Sequence, residues 1–300
     1  MPLLRVALVF ALVMALAFGV IRLVDPTGVM VATAVKLDPA PPATAVANRT
    51  LLPDLESGAC MSLAPTRAGS GQTVFIDPGH GGLDPGVVAG TTAHQVLEKD
   101  ATLAVAMRLS DLLRGSGYRV VMARTQDTTV IKLSASDSVY GSLTADAEHR
   151  DLAARAACAN AAAASALLSI HFDAFADPSV GGTETFYDAA RTFAPANLKL
   201  ATDVQSALVS ALGTADRGVL TDDQLAAPTL TSSGSTYNHL IELGPMSAGW
   251  VDAPSQMAGA LVEPLFLTNP AEARVATDPS GQLLIATALE AGLVKFLSGA

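Results

Sequence analysis

Aromatic side chains are scarce in this chain: Phe, Tyr and Trp make up 5% of its 300 residues, with a single Trp. A core short of rings has to be filled by aliphatic side chains and alanine, which suits helices of small residues packed on aliphatic strands. Basic charge is short too. Lys and Arg number 18 against 28 Asp and Glu, a formal net charge of -10, and no basic run is available to neutralise phosphates, so the balance argues against nucleic-acid binding. Cysteine is limited to Cys60 and Cys158, too few and too isolated for a cysteine-built metal site. Internal repeats are not apparent. What is present is apolar bulk: with 50% hydrophobic and 15% charged residues, the chain can bury the core of one domain of about 200 residues plus extensions.

The N-terminus reads as a separate object. Val6 to Ile21, VALVFALVMALAFGVI, is an uninterrupted apolar stretch between Arg5 and Arg22, so residues 1–24 are expected to be a signal peptide or a membrane anchor. Residues 25–70 mix Pro, Ala, Gly, Ser and Thr without sustained periodicity and are expected to form a tether. Export implies a disulfide-permissive compartment. A Cys60–Cys158 bridge pinning the tether to the body is therefore expected, with two unpaired structural thiols as the alternative.

From Gly71 onward the pattern is that of an α/β domain with a mixed, mostly parallel central sheet flanked by helices. Short β-type runs occur at 73–77, 118–124, 166–171, 183–187, 239–243 and 260–263. Helical segments are expected at about 96–114, 147–164, 195–212 and 282–297. In the first of these, Leu97, Ala101, Ala104, Met107 or Arg108, and Leu112 recur at helical steps and predict the buried face. Residues 126–148 form a polar connection longer than two elements need.

Three metal-capable side chains lie at or near strand ends, where open α/β sheets present their chemistry. They are His80 in DPGHGG after the first strand, Glu98 at the start of the first helix, and His171 closing LLSIH. Two imidazoles and a carboxylate are the ligand set of a catalytic zinc that keeps a fourth position open. Gly79, Gly81 and Gly82 would let the backbone turn sharply beside a substrate. On spacing alone, a plain turn carrying an incidental histidine fits DPGHGG equally well.

Larger stretches carry more information. VFIDPGHGGLDPGVVAG, LEKDATLAVAMRLSDLLRGSGYRVVMART, LAARAACANAAAASALLSIHFDA, GGTETFY and GALVEPLFLTNPAEA succeed one another in order from about Thr73 to the terminal helix. Together they closely resemble the zinc-dependent N-acetylmuramoyl-L-alanine amidases of peptidoglycan, the type called amidase 3. The resemblance implies that residues 71–300 are a zinc amidase domain, that Zn2+ is the cofactor, and that His80, Glu98 and His171 are its ligands. It implies Glu263, in LVEPLFLTN, as the catalytic glutamate. Glu242 in LIELG imitates the same local pattern, but the residues after Glu263 match the family and those after Glu242 do not; Glu242 is expected to be a strand residue or a secondary substrate contact. Pro264-Leu265 and the stretch 215–257 depart from the family pattern and bear on substrate preference.

The remaining candidates have bland readings beside the sharp ones. His94 is four residues before Glu98 and could share its helical face, but an exposed loop histidine is the expectation. His149 and His239 need only solvated or capping roles. Asp77 is expected to orient His80 or its loop, or to be simple turn chemistry. Arg155 is expected to pair with Asp151 at helical spacing rather than to hold a carboxylate of substrate. The function implied is hydrolysis of the amide between N-acetylmuramic acid and L-alanine, by an exported monomer of the cell envelope that acts on peptidoglycan or muropeptides and touches the membrane only through its N-terminus. A catalytically silent peptidoglycan-binding relative and a zinc peptidase acting on stem peptides are the alternatives.

Overall fold

The computed structural model describes residues 54–299 except 92–93, 225–228 and 232, together with the backbone of 22–24, 30–32, 44–45 and 229–230. The apolar stretch Val6 to Ile21 lies outside the described residues. The chain divides into two units, Met1–Ala40 and Pro41–Ala300. In the first, Arg22–Val24 pairs antiparallel with Met30–Ala32.

The second unit is built on one sheet. Its principal strands are β1 (Ala59–Leu63), β2 (Thr73–Pro78), β3 (Arg119–Arg124), β4 (Ala166–Ile170), β5 (Thr183–Tyr187), β6 (Asp216–Thr221) and β7 (Ala258–Glu263). They are ordered β6-β5-β7-β4-β2-β3-β1, with the two-residue strand Thr44–Ala45 beside β1. The pairs β2·β3, β2·β4, β4·β7 and β5·β6 are parallel, whereas β1·β3 and β5·β7 are antiparallel. The mixed, mostly parallel α/β sheet is as the sequence predicts.

Strand side chains alternate between two cores because successive residues point to opposite faces. Val74, Ile76, Leu168 and Ile170 face one way and meet the helices α1 (Glu98–Gly115), α3 (Ala194–Leu212) and α5 (Pro279–Ser298). Phe75, Val121 and Leu167 face the other way, toward α2 (Ala145–Ala161). Ala154, Cys158 and Ala159 pack there, small residues that bring α2 close to the sheet in place of absent aromatics. Helix α5 is long and apolar enough to cross a membrane, but Ile285, Leu289 and Leu293 are buried in the first core. A short helix, α4 (Pro270–Thr277), precedes it, begun by the Asn269 side chain, which accepts from the amides of Ala271 and Glu272.

Four differences from the sequence reading have physical causes. Residues 239–243 are not a strand: Leu240 to Gly244 turn on themselves through the amides of Leu243 and Gly244, both donated to Leu240 O. The buried face of α1 runs through Ala101, Val105, Leu109 and Leu113, and Met107 is exposed, because the stripe of larger aliphatics covers more of the sheet. β6, DRGVLT, is too polar to read as a strand, as befits a sheet edge. β1 lies inside the 25–70 segment read as tether and pairs with β3. Cys60 of β1 and Cys158 of α2 are disulfide-bonded, Cα to Cα 5.8 Å across a separation of 98 residues.

Candidate metal centre

His80 sits just past the end of β2, in the left-handed region at φ 61°, a conformation that a non-glycine residue keeps only when its surroundings enforce it. Two buried arginines do so. Arg124 of β3 donates to the carbonyls of Pro78 (3.0 Å) and Gly79 (2.9 Å). Arg155 of α2 donates to the carbonyls of Pro78 (3.0 Å) and His80 (2.8 Å). Arg155 is in turn paired with Asp77 at 2.7 Å and Asp151 at 2.9 Å, and Ser169 donates to Asp77 at 2.7 Å. Burial opposes charge on Asp77, but the Arg155 guanidinium holds its carboxyl below the usual carboxylate range. Asp77 therefore orients the His80 loop through Arg155. The ring of His80 is held by a different residue, Asp84, whose carboxylate meets Nδ1 at 2.8 Å.

Glu98 opens α1 and points back under the loop. Its Oε1 accepts from the Phe172 amide (2.9 Å) and Oε2 from the Val87 amide (2.8 Å). His171 comes directly after β4, its amide donated to Val262 O of β7. The three side chains converge: His80 Nε2 is 3.0 Å from Glu98 Oε1, His171 Nδ1 is 3.1 Å from the same oxygen, and the two imidazole nitrogens are 3.1 Å apart. Burial works against a charged His80, yet the Glu98 and Asp84 carboxylates outweigh it and push the imidazole up to about 10.

The residues fit a zinc ion. Metal–ligand bonds of about 2.0–2.1 Å at tetrahedral angles put ligand atoms roughly 3.3 Å apart, close to the observed separations. The surroundings are shaped to that packing. A Cβ on Gly86, where φ is 62°, would lie 2.5 Å from Glu98 Oε2 and 2.6 Å from His80 Cδ2, and one on Gly79 would lie 2.3 Å from the His171 ring. Only glycine leaves the ligands where they are.

Glu263 ends β7, directly after the residue whose carbonyl receives His171. Its Oε2 is buried without a hydrogen bond. Burial, then the charges of Glu98, Asp173 and Glu184, raise its carboxyl well above the usual range. Glu242 is buried as well, in the 240–244 turn rather than in a strand, and its Oε1 also lacks a hydrogen bond. Burial comes first in raising its carboxyl too, but its charged neighbours are Asp77, Arg155 and Asp151, not the converging ligands. A cavity of about 130 Å³ opens beside the centre, lined by His80, His171, Glu148, Leu240, Ile241 and Glu242 among others, and Glu263 is not part of its wall.

Several sequence candidates fall elsewhere. His94 is exposed in the hairpin Val88–Thr91/His94–Leu97. His149 stacks on Trp250 at 3.8 Å and contacts its carbonyl at 2.7 Å. His239, read as solvated or capping, lies against Asp188 and Asp222. Arg124 and Asp84 were missed, although Asp84 stands in the same glycine-rich run as His80.

An open α/β sheet here gathers two imidazoles and a carboxylate beside a cavity, in the region where such sheets present their chemistry and in an arrangement able to hold a metal ion. Residues 74–295 match the family described as N-acetylmuramoyl-L-alanine amidase, and the chain belongs to that family. It is 31% identical over 229 residues to the germination-specific N-acetylmuramoyl-L-alanine amidase of Bacillus subtilis, a match covering 76% of this chain and 81% of that one. It is 33% identical over 204 residues to N-acetylmuramoyl-L-alanine amidase LytC of the same organism, covering 68% of this chain but only 31% of LytC. Among solved structures, an N-acetylmuramoyl-L-alanine amidase from Clostridium difficile 630 superposes with TM-score 0.56 at 29% identity, covering 76% of this chain and 97% of that one. The CwlD amidase of Clostridioides difficile, solved in complex with the GerS lipoprotein, gives TM-score 0.59 at 25% identity, covering 76% of this chain and 100% of that one.

Proposed function

We propose that the chain hydrolyses the amide joining the lactyl group of N-acetylmuramic acid to L-alanine in peptidoglycan or muropeptides, with zinc held by His80, Glu98 and His171. The observation that carries this reading is the convergence of those three ligand atoms at 3.0–3.1 Å, within the family's matched span. A zinc ion bound there supplies Lewis acidity, polarising a carbonyl and making water more acidic. The protein's own groups do the rest. Glu263 takes the proton of the attacking water and delivers it to the departing nitrogen as the carbon–nitrogen bond breaks, leaving a lactyl carboxylate and a free L-alanine amine. Glu263 is favoured over Glu242 because its carboxyl feels the charge of Glu98, whereas Glu242 belongs to the Asp77–Arg155 network. Leu152, Leu240, Ile241 and Leu261 form apolar parts of the cavity wall and exclude bulk water from the bond.

Export to the envelope is implied by the substrate, with residues 1–24 as signal peptide or anchor, 25–70 as tether and 71–300 as the catalytic region, acting as a monomer. Digestion of purified peptidoglycan, analysed by mass spectrometry with and without a chelator, tests the reading. The expected products are stem peptides beginning with free L-alanine, formed only without chelator. Cuts inside the stem would indicate a peptidase, and intact peptidoglycan a silent relative.

A further inference from the structure

A second group of ligand-type side chains lies at the other side of the sheet. Asp188 comes after the last residue of β5 and Asp222 after the last residue of β6, and those residues, Tyr187 and Thr221, are partners in the parallel ladder. The two carboxylates are thereby set side by side at strand ends. His239 arrives from the 215–257 stretch and completes the group, its Nδ1 2.8 Å from Asp188 Oδ2 and 3.2 Å from Asp222 Oδ1. Asp188 and Asp222 are 0% and 2% exposed.

The remaining oxygens of both carboxylates are already used by backbone. Asp188 Oδ1 accepts from the amides of Ala190 (2.8 Å) and Arg191 (2.9 Å), and Asp222 Oδ2 accepts from the amide of Leu240 (2.9 Å). That leaves Asp188 Oδ2 and Asp222 Oδ1 aimed at one imidazole nitrogen. One nitrogen has one N–H at most to give, and the hydrogen-bond geometry is met by Asp222. Asp188 Oδ2 is buried without a hydrogen bond although it is 2.8 Å from the ring. The nearby Arg191 does not resolve this, because its guanidinium donates to the carbonyls of Leu243, Gly244 and Ser255. Two buried carboxylates facing one imidazole nitrogen are relieved either by a shared proton or by a cation between them. The spacing of 2.8–3.2 Å also parallels the 3.0–3.1 Å spacing at His80, Glu98 and His171.

We propose that Asp188, Asp222 and His239 bind a second divalent transition-metal ion, separate from the His80–Glu98–His171 centre. An imidazole with two carboxylates suits zinc or manganese, whereas calcium and magnesium prefer oxygen alone. The ion ties the ends of β5 and β6 to the turn beginning at Leu240, whose amide already bonds Asp222 and whose neighbours Ile241 and Glu242 line the cavity. Its role is to hold that wall in place. The proposal does not depend on the amidase reading, since it concerns metal content alone.

The test is metal analysis of the full chain loaded with zinc and dialysed. Two zinc ions per chain are expected in the unaltered protein, and one in each of Asp222→Asn, His239→Gln and His171→Ala. One ion in the unaltered protein and none in His171→Ala would overturn the proposal, as would two ions in both Asp222→Asn and His239→Gln. Should those two variants fail to fold, hydrogen exchange on His171→Ala keeps the proposal exposed to refutation. There, zinc at 100 times its Kd is expected to slow exchange at the Leu240 amide by about 100-fold where that amide opens with release of the ion. Unchanged exchange would show that His239 only forms ion pairs with the two aspartates.

Discussion

The two His-carboxylate groups use similar ingredients in different mountings. His80 and His171 follow β2 and β4, central strands with cores on both faces, Glu98 opens α1, and the loop bearing His80 is gripped by Arg124 and Arg155. Asp188, Asp222 and His239 are carried by the ends of the two outermost strands on one side of the sheet and by a turn-rich stretch. The first arrangement has many independent restraints on each ligand. The second has fewer: the β5·β6 ladder, the Leu240 amide on Asp222 and the Arg191 bonds to Leu243 and Gly244 join its parts. Removal of a cation should therefore leave the first group in shape and loosen the second.

The largest effect expected is at the central group. His80→Ala or His171→Ala should lose the metal there and, with several kcal/mol of transition-state stabilisation gone, slow peptidoglycan hydrolysis by roughly 10³-fold or more. Full turnover in either variant would remove the distinction between a catalytic and a structural group. Next comes Glu263→Gln, for which a loss of about 10²–10⁴-fold in turnover is expected with metal content unchanged, while Glu242→Gln stays largely active. The reverse result would move the proton-transferring role onto the 215–257 side of the molecule.

Smaller effects sharpen the contrast in mounting. The double variant Cys60→Ser, Cys158→Ser frees α2, which carries Arg155, from β1. A loss of about 2–4 kcal/mol in denaturant titration is expected, with metal and activity retained at low temperature. Loss of metal at low temperature would show that the bridge, rather than the arginines, holds the centre together. His94→Ala, at an exposed hairpin, should change stability by less than about 0.5 kcal/mol and leave hydrolysis unchanged. A marked loss of activity would place a third histidine near the centre.

How far each group was legible in the sequence obeys the same division. His80 and His171 end short apolar runs, and Glu98 opens a helix of regular pattern, so local signals marked all three as candidates without deciding them, and the resemblance singled them out as ligands. The resemblance added Glu263, which no periodicity distinguishes from Glu242. The 239–243 run is short and mostly apolar like a strand, but a turn buries Leu243 against the sheet core and Ile241 in a separate cluster with Tyr237 and Val251. β1 was hidden because ACMSL lies among Pro, Gly and Ser and gains its place by pairing with β3 and bonding Cys158, both far away in sequence. Asp188 and Asp222 become neighbours only through the pairing of β5 with β6, and a polar edge strand gives little pattern to read. The Asn269-Pro270 start of α4 was readable as a helix cap and was passed over.

The grip of Arg124 and Arg155 on the carbonyls around His80 has a consequence for where and when the protein becomes active. In small zinc modules the ion is what makes the chain fold, so an empty chain is a lost chain. Here the backbone beneath the ligand is already committed by charge-assisted bonds from side chains that bear no relation to the ion. Folding and charging are thus separate events. On the proposed reading of an exported zinc enzyme, a chain would complete its structure during transit, arrive without zinc, and be switched on by whatever supply the destination provides, so that local metal availability would set how much of the folded protein is at work.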